Sequence, residues 1–486
     1  MTEVLRAVEA SGVRVDASVP ESLSVAQVRQ DSRTVSPGDL FVAWRGASHD
    51  GHDFLADAAR AGAVAALVER EVVDVELPQV VVDNARLAGA VAADRVAGSP
   101  WKAMTTVAVT GTNGKTTTAF LARHVLSRKG PAAAIGTLGL VGTDGRRDPS
   151  TEGLTTPGFE RVSDWLTQLR DTGVRHVLLE ASSHALDQCR LDALRFDVMV
   201  YTNLTRDHLD YHGDWQGYLE AKHHLVSLSK PGGTVVYNAD VPSWTGLPIT
   251  GARLSYGLDT PADVQATELV LTAGGASFNL HYDDGRAAVR LPLLGRFNVE
   301  NALAAASVGL ALEMDLAEVA DALSSAPQIP GRLERVLSTP FDVLIDFAHT
   351  ADALDRVLQT LRPLVEGRLI VVFGAGGDRD RVKRPRMGEA VSRYADVAVV
   401  TSDNPRTEDP EAIVAEVAAG VSGRVKRVER VDRTEAIHWA IAEAVPGDMV
   451  VLAGKGHESY QVVGTEKRPF DERRIVQSAL DREPGQ

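Results

Sequence analysis

Along the chain, short apolar runs that end in polar or glycine-rich loops alternate with amphipathic stretches. In the first hundred residues the runs are "DLFVAW", "AVAALVE" and "QVVVDN", closed by the small-residue and proline punctuation "AGSPW". From "MTTVAVTGTNGKTTTAFLARHVLSRKG" onward the order is strand, glycine loop, helix, and "RHVLLEAS", "FDVMVYTNLT" and "GGTVVYNAD" repeat the β-branched run ending in polar residues. After "PQIPGRLERV" the alternation restarts with "FDVLIDFAHT", "RLIVVFGAGGDRD", "ADVAVVTSDNPR" and "GDMVVLAGKGHE". Such alternation predicts parallel sheets with helices on both faces, an α/β fold. The joints predict three domains, over residues 1–102, 103–331 and 332–486. In open α/β sheets ligands bind beyond the carboxyl ends of the strands, so the loops of the third domain are a natural site. The tail "DREPGQ" is expected to fray.

Composition narrows the class. The chain has 486 residues, 44% hydrophobic and 24% charged, which is globular and long enough for two to four cores. No apolar run approaches the roughly 18 residues that would span a bilayer. The start, "MTEVLRAVEASG", carries acids where a signal peptide has a basic region, so a cytoplasmic location is expected. A single cysteine, Cys189, excludes an intramolecular disulfide framework and multi-cysteine zinc sites, and reads as a small buried or half-buried side chain. The net charge of −15 argues against nucleic-acid binding through a broad basic surface and leaves room for local pockets that take small anions.

The sharpest local signal is "TGTNGKTTT" at residues 110–118, which follows the strand "TTVAVT" and opens the helical stretch "KTTTAFLARHVL". A general phosphate loop has four residues between its first glycine and its Gly-Lys pair. Here Gly111 is followed only by Thr112 and Asn113 before Gly114 and Lys115. In this context backbone N–H groups and the helix N-terminus would hold the anion, Lys115 would reach the terminal phosphates, and Thr116 would ligate magnesium. The plain alternative is a turn before a helix. Glu180 ends the run "RHVLLE", where a second Mg2+ ligand is expected near a phosphate loop. Four histidines crowd residues 208–224; His208 and His212, four apart, would share a face of a helix as in zinc hydrolases, but Gly213 breaks such a helix and no acid stands at the general-base position. His223 and His224, adjacent, read as surface or packing residues.

In order between about residue 30 and about residue 465, the chain carries "TGTNGKTTT", "EASSHAL", "TNLTRDHLDYHG", "YLEAK", "GRFNVENALAA", "GRLE", "DFAHT", "GAGGDRDRVKRP", "DNPRTEDP" and "GKGHE". Together these resemble the Mur ligases, whose own form of the phosphate loop is the shortened one. The resemblance implies a small α/β UDP-binding domain, a central P-loop ATPase-like parallel-sheet domain and a C-terminal Rossmann-like domain. It implies an ATP-dependent amide ligase of peptidoglycan precursor synthesis, which phosphorylates the terminal carboxylate of UDP-N-acetylmuramoyl-L-alanyl-D-glutamate and lets an amine attack the acyl phosphate. A carboxylate is a poor acyl donor, and phosphoryl transfer between two anions needs cations along its path.

Laid on this sequence, the resemblance implies ATP contacts at Gly111, Thr112, Asn113, Gly114, Lys115, Thr116 and Thr117, an adenine contact at Asn301, and ribose and phosphate contacts at Arg332, Asp346 and His349. Asn301, at the start of a helical stretch, reads otherwise as a cap. Metal ligands are implied at Thr116, Glu180, His208 and Lys222, the last through a carbamate on its side chain, with Lys115, Glu180, His208 and Lys222 as the catalytic set. Without its motif Lys222 reads as a solvated helix lysine. The UDP-sugar peptide is implied at Ser32, His49, Thr155, Thr156, Ser182, Gln188 and Arg190, with Arg190 best suited to an anion and Ser32 otherwise a plain turn residue. The amino acid is implied at Arg379, Asp403, Asn404, Pro405, Arg406, Gly454 and Glu458. Two candidates, meso-diaminopimelate and L-lysine, differ by one carboxylate at the far end. Arg406, which lysine-adding relatives generally lack, would grip that carboxylate with two hydrogen bonds, so meso-diaminopimelate is expected. On the plain reading Arg406 pairs with Glu408 or Asp409.

Two departures from the family pattern are "FAHTAD", with Phe347 and Ala351, for "YAHTPD", and "LEASSH" for "MEVSSH". A monomer is expected, without nucleic-acid partner or membrane insertion. The competing readings are a folylpolyglutamate synthase-like ligase, disfavoured by the long first segment and by "DNPRTEDP" with "GKGHE", and a non-catalytic nucleotide-binding protein.

Overall fold

The computed structural model describes residues 1–17, 23–46 and 49–481, so residues 482–486 of the tail expected to fray lie outside them. The chain divides into two compact units: Met1–Ala266 with Leu280–Ala287 and Asn301–Leu323, and Thr267–Asn279 with Ala288–Glu300 and Ser324–Gln486. No described helix is long and apolar enough to cross a membrane.

The first unit begins with a five-stranded sheet in the order Val15–Ala17, Gln79–Val82, Ala65–Val68, Leu40–Ala43, Val28–Arg29. Only the first pair is antiparallel. The three apolar runs of the first segment are its inner strands, and the two- and three-residue outer strands are too short to show a pattern. Leu40 and Val42 face a core closed by Val8, Ala88 and Ala92 from the helices Thr2–Ala10 and Ala85–Val96, whereas Phe41 and Ala43 face Leu55 and Ala58 of the helix Leu55–Ala61. Alternate residues point to opposite faces of a strand. With both faces covered the run is apolar throughout.

The next sheet of this unit orders Ala252–Gly257, Ser229–Asn238, Phe196–Tyr201, Thr105–Thr110, His176–Glu180 and Ala132–Gly136 in parallel, followed by the antiparallel Gly139–Val141 and Arg147–Asp148. The antiparallel edge had no signal in the alternating pattern. Thr105–Thr110 lies centrally, paired on one side so that Glu180 faces Val109 and on the other so that Tyr201 faces Thr110. The loop after this strand is thereby bracketed by the ends of its two neighbours. The segment 264–291 folds into the strands Val264–Thr272, Gly275–Tyr282 and Gly285–Leu291.

In the second unit the order is Glu334–Leu337, Asp342–Asp346, Met449–Ala453, Leu369–Phe373, Val397–Val400, Lys426–Glu429, parallel except at the first pair. The four apolar runs of the third segment are its inner strands. Leu344, Val371 and Val451 enter one core, and Val343, Ile345, Val372 and Leu452 the other. Each such side chain contributes about 1.5–3 kcal/mol by burial, which fixes the strands while leaving their carboxyl ends for chemistry. "DFAHT", "GAGGDRD", "SDNPR" and "AGKGHE" all leave that edge.

Candidate active site

In the first unit the phosphate loop joins the strand Thr105–Thr110 to the helix Lys115–Leu126, which starts from Gly114. Gly111 has φ 143, and a Cβ there would stand 1.9 Å from Thr202 Oγ1, so only glycine lets the neighbouring strand end approach. Asn203 accepts from the Thr112 N–H through its carbonyl (2.8 Å) and from the Asn113 N–H through Oδ1 (2.9 Å). Lys115 Nζ donates to the carbonyls of Gly111 and Thr112, both at 2.9 Å. Thr116 Oγ1 donates to Glu180 Oε2 (2.9 Å), and Glu180 also accepts from the Thr137 N–H (2.8 Å) and Thr137 Oγ1 (3.1 Å).

Lys222 lies on the helix Trp215–His223, 1% exposed, and its Nζ donates to the same Gly111 carbonyl at 2.9 Å. Its ammonium position is 4.6 Å from the centre of the Tyr218 ring, one helical turn earlier, and Tyr218 Oη shares a hydrogen bond with Thr112 Oγ1 (2.9 Å). Burial, and then the charge of Lys115, hold the Lys222 amine well below the usual lysine range.

Beside this cluster Thr156 Oγ1 donates to the Glu180 carbonyl (2.6 Å) and accepts from the Ser182 N–H (3.0 Å), while the hydroxyls of Thr155 and Thr137 lie within hydrogen-bonding distance (3.1 Å). Arg190 donates to the Thr156 carbonyl (2.7 Å) and to Gln188 Oε1 (2.6 Å), and among the described residues it forms no ion pair. A partly buried guanidinium with only neutral partners is a ready anion receptor, and burial draws its pKa down. A cavity of about 600 Å³ nearby is lined by Asp187, Asp192, Glu220, His212 and His224. Its acids disfavour a nucleotide or a UDP-sugar, and none of the residues above lines it.

In the second unit Asp346 ends its strand, buried, and accepts from the N–H groups of Leu333 and Ala348, both at 2.8 Å. Burial raises its pKa, against the charge of Arg332. The Arg332 guanidinium stands 5.0 Å over the Phe347 ring, which is 4.6 Å from the His349 ring. Arg406 has φ 52 and donates through Nη1 to the Gly377 carbonyl (2.7 Å); a Cβ on Gly377 would meet the Pro405 carbonyl at 1.9 Å. Among the described residues Arg406 forms no ion pair. Glu408 is held by Arg384 through two hydrogen bonds (2.7 and 3.0 Å), and Asp409 caps the helix Pro410–Ala418, so neither acid takes Arg406. Asp403, Asn404 and Glu458 meet around the ammonium of Lys455, and Gly454 adjoins Asp403.

Three models of one family match the chain: the Mur ligase family catalytic domain at residues 24–100, the Mur ligase middle domain at 109–309 and the Mur ligase glutamate ligase domain at 331–456. The UDP-N-acetylmuramoyl-L-alanyl-D-glutamate--2,6-diaminopimelate ligase of Geobacillus thermodenitrificans is 42% identical over 94% of this chain and 95% of its own. The chain belongs to the Mur ligase family. The enzyme of the same name from Gloeobacter violaceus is 42% identical over 95% of this chain and 94% of its own. A solved structure of a UDP-N-acetylmuramoyl-L-alanyl-D-glutamate--2,6-diaminopimelate ligase superposes with TM-score 0.68 at 35% identity, covering 94% of this chain and 95% of that one.

In this Mur ligase the structure gathers Lys115, Thr116, Glu180 and Lys222 around one loop. It seats Asn301 sixth in the helix Arg296–Ala311, where it is no cap; its Oδ1 accepts from Thr118 Oγ1 (3.3 Å) beside Gly114. Thr117 is buried inside the loop helix. His208 precedes the short helix Leu209–His212 with φ 51, and its ring lies 3.6 Å from Asp207 and edge-on to His184. Gly213 ends that helix, and among the described residues no group of three or more His, Cys, Asp or Glu could hold a metal ion. Ser32 opens a short turn capped by Asp31, His49 is exposed, and Arg379 is exposed on the "GAGGDRD" loop; none of the three bonds to the clusters above. His224 pairs with Asp192 (2.8 Å), and Cys189 is half-buried, its thiol pushed up to about 12 mainly by burial. Residues of the clusters that had not been singled out include Thr137, Asn203, Tyr218, Lys455 and Arg384. All but Thr137 stand inside motifs quoted for the resemblance, and Tyr218 also stands four before Lys222 on one helical face.

Proposed function

We propose that this Mur ligase uses ATP to join meso-diaminopimelate to UDP-N-acetylmuramoyl-L-alanyl-D-glutamate, acting as a monomer in the cytoplasm, without nucleic acid or membrane insertion. The observation that carries the choice of amino acid is Arg406, a guanidinium at the carboxyl edge of the sheet with a carbonyl for partner and, among the described residues, no acid. A far-end carboxylate completes it; the ammonium of lysine would be repelled.

The glutamyl carboxylate attacks the γ-phosphorus of ATP, giving the acyl phosphate and ADP. The amine of diaminopimelate then attacks the acyl carbon and inorganic phosphate leaves. Gly111, Thr112, Asn113, Gly114 and Thr117 would offer the loop and helix start to the phosphates, and Lys115 would swing from its loop carbonyls to the transferring oxygens. Thr116 and Glu180 offer hydroxyl and carboxylate oxygens, a donor set that fits Mg2+. His208 would add a ligand. Lys222 fits a cation only as a carbamate, since an ammonium would repel it; its burial supports the neutral amine from which a carbamate forms. The bound Mg2+ would neutralise charge on the phosphates. Asn301 would meet adenine, and Arg332, Asp346 and His349 the ribose and phosphates. Arg190, Gln188, Ser182, Thr155, Thr156, Ser32 and His49 would hold the UDP-sugar peptide. Arg379 would hold the carboxylate beside the reacting amine, with Asp403, Asn404, Pro405, Gly454 and Glu458 around the far end.

The test is phosphate release by the purified chain with ATP, Mg2+, the UDP-sugar dipeptide and an equimolar pair of meso-diaminopimelate and L-lysine. Product containing diaminopimelate is expected. A lysine product would overturn the pocket reading, and no release with either would overturn the ligase reading.

A further inference from the structure

Lys455, in "GKGHE", has a fully buried side chain. Its Nζ donates to Asn404 Oδ1 and Glu458 Oε2, both at 2.9 Å, and lies 3.3 Å from Asp403 Oδ1. Asn404 Nδ2 donates to the same Glu458 oxygen at 3.0 Å, and Asn404 Oδ1 also accepts from the Val462 N–H at 2.9 Å. One ammonium therefore ties "SDNPR" to "AGKGHE" and fixes the rotamers of three residues assigned to the amino-acid pocket. The Tyr460 ring, 5.9 Å from Nζ, closes one side. Beside it lies a second buried ion pair, in which Arg433 Nε donates to Glu472 Oε1 (2.8 Å) and Nη2 to the Ala453 carbonyl (2.9 Å), and Glu472 also feels the charges of Lys455 and Asp403.

With that pair counted as one cation and one anion, and Arg379 assigned to the end with the reacting amine, the charge at the far end of the pocket rests on four groups. The carboxylates of Asp403 and Glu458 are matched by the cations of Lys455 and Arg406, and the balance is zero. The far end of diaminopimelate, one carboxylate and one ammonium, is also neutral. The far end of lysine carries a single positive charge, for which a pocket lacking the Lys455 charge would be the better complement. We infer that Lys455 is a positioning residue that selects a zwitterionic side-chain end over a cationic one, by holding Glu458 and Asn404 in place and neutralising one of the two acids. This rests on the diaminopimelate reading of the pocket.

The test uses the full chain and its variants Lys455→Met, Lys455→Gln and Lys455→Arg, with KM and kcat for meso-diaminopimelate, L-lysine and ATP. Lys455→Met is expected to raise KM for diaminopimelate at least tenfold with a smaller change in kcat. Its preference for diaminopimelate over lysine should fall at least tenfold, with KM for ATP within twofold of wild type. Lys455→Arg should recover most of the preference. If Lys455→Met does not fold, Lys455→Gln, which keeps a donor and loses the charge, carries the same expectation. An unchanged preference in the folded neutral variant, or equal losses with every substrate, would overturn the inference and leave the function standing. A wild-type preference for lysine would overturn the function first, and the inference with it.

Discussion

Each unit buries a lysine in its site, and the two surroundings make them different chemical groups. Lys222 has for company one carbonyl, an aromatic face and the like charge of Lys115. Lys455 has two carboxylates and an amide oxygen within 3.3 Å. A buried charge is tolerated where it is paired and hydrogen-bonded; otherwise the group neutralises. Burial thus works against the charge of the first lysine, whereas the second is ion-paired with two carboxylates. The same contrast runs through the loops. The phosphate loop offers its backbone carbonyls and N–H groups to the side chains of Lys115, Lys222 and Asn203, whereas the loops of the second unit are tied side chain to side chain, by Lys455 on one side and by Arg384 on Glu408 and Glu416 on the other.

The largest effect is expected from the first lysine pair. Lys115→Ala should lower ATP-dependent phosphate release by at least about 10²–10³-fold at any substrate concentration, because it removes charge from the transferring group. Near-normal turnover would break the assignment of this loop. Lys222→Ala should also be inactive, and should recover in part with an excess of a short carboxylic acid able to fill the vacated ligand position. Bicarbonate should raise the wild-type rate; a crystal structure of the protein with an unmodified Lys222 amine, together with no bicarbonate response, would remove the contrast between the two lysines.

Arg406→Ala tests the second unit's side of the comparison. Losing a charge-assisted partner costs about 2–5 kcal/mol, roughly thirtyfold to several-thousandfold in kcat/KM for diaminopimelate. Binding of ATP and of the UDP-sugar, measured by calorimetry, should stay within a few-fold. A uniform loss across all three ligands would point to a folding defect rather than a lost contact.

The smallest effect separates the two ways of holding a loop. The Arg384 guanidinium holds the Glu408 carboxyl at about 2, against the ordinary 4.5. A depressed carboxylate pKa stabilises the fold above the unfolded value and loses that contribution as pH falls through the folded one. Chemical denaturation of the wild type should therefore weaken between about pH 4.5 and pH 2, and Glu408→Gln should flatten part of that slope. An identical slope in the variant would mean that Glu408 carries none of it.

What the sequence determined by itself was local or ordered along the chain. Apolar runs such as "DLFVAW" and "ADVAVV" became inner strands because burial on both faces leaves no polar position to blur the pattern. The shortened loop was legible because strand, glycines, Lys-Thr and helix follow one another without a gap. The order of ten motifs identified the family, and with it a site list whose central members, Lys115, Thr116, Glu180 and Lys222, do meet. The edge strands Val15–Ala17 and Arg147–Asp148 were too short to carry a period, and Asn301 looked like a cap because a sequence shows where a helical stretch begins only to within a turn. Tertiary structure alone decided which charges have partners. Thr137 reaches Glu180 across 43 positions, Arg384 reaches Glu408 across 24, and Lys455 reaches Asp403 across 52. A side chain's pKa, rotamer and ligand depend on dielectric and on neighbours brought together by the sheet, and neither is a property of the residues beside it in the chain.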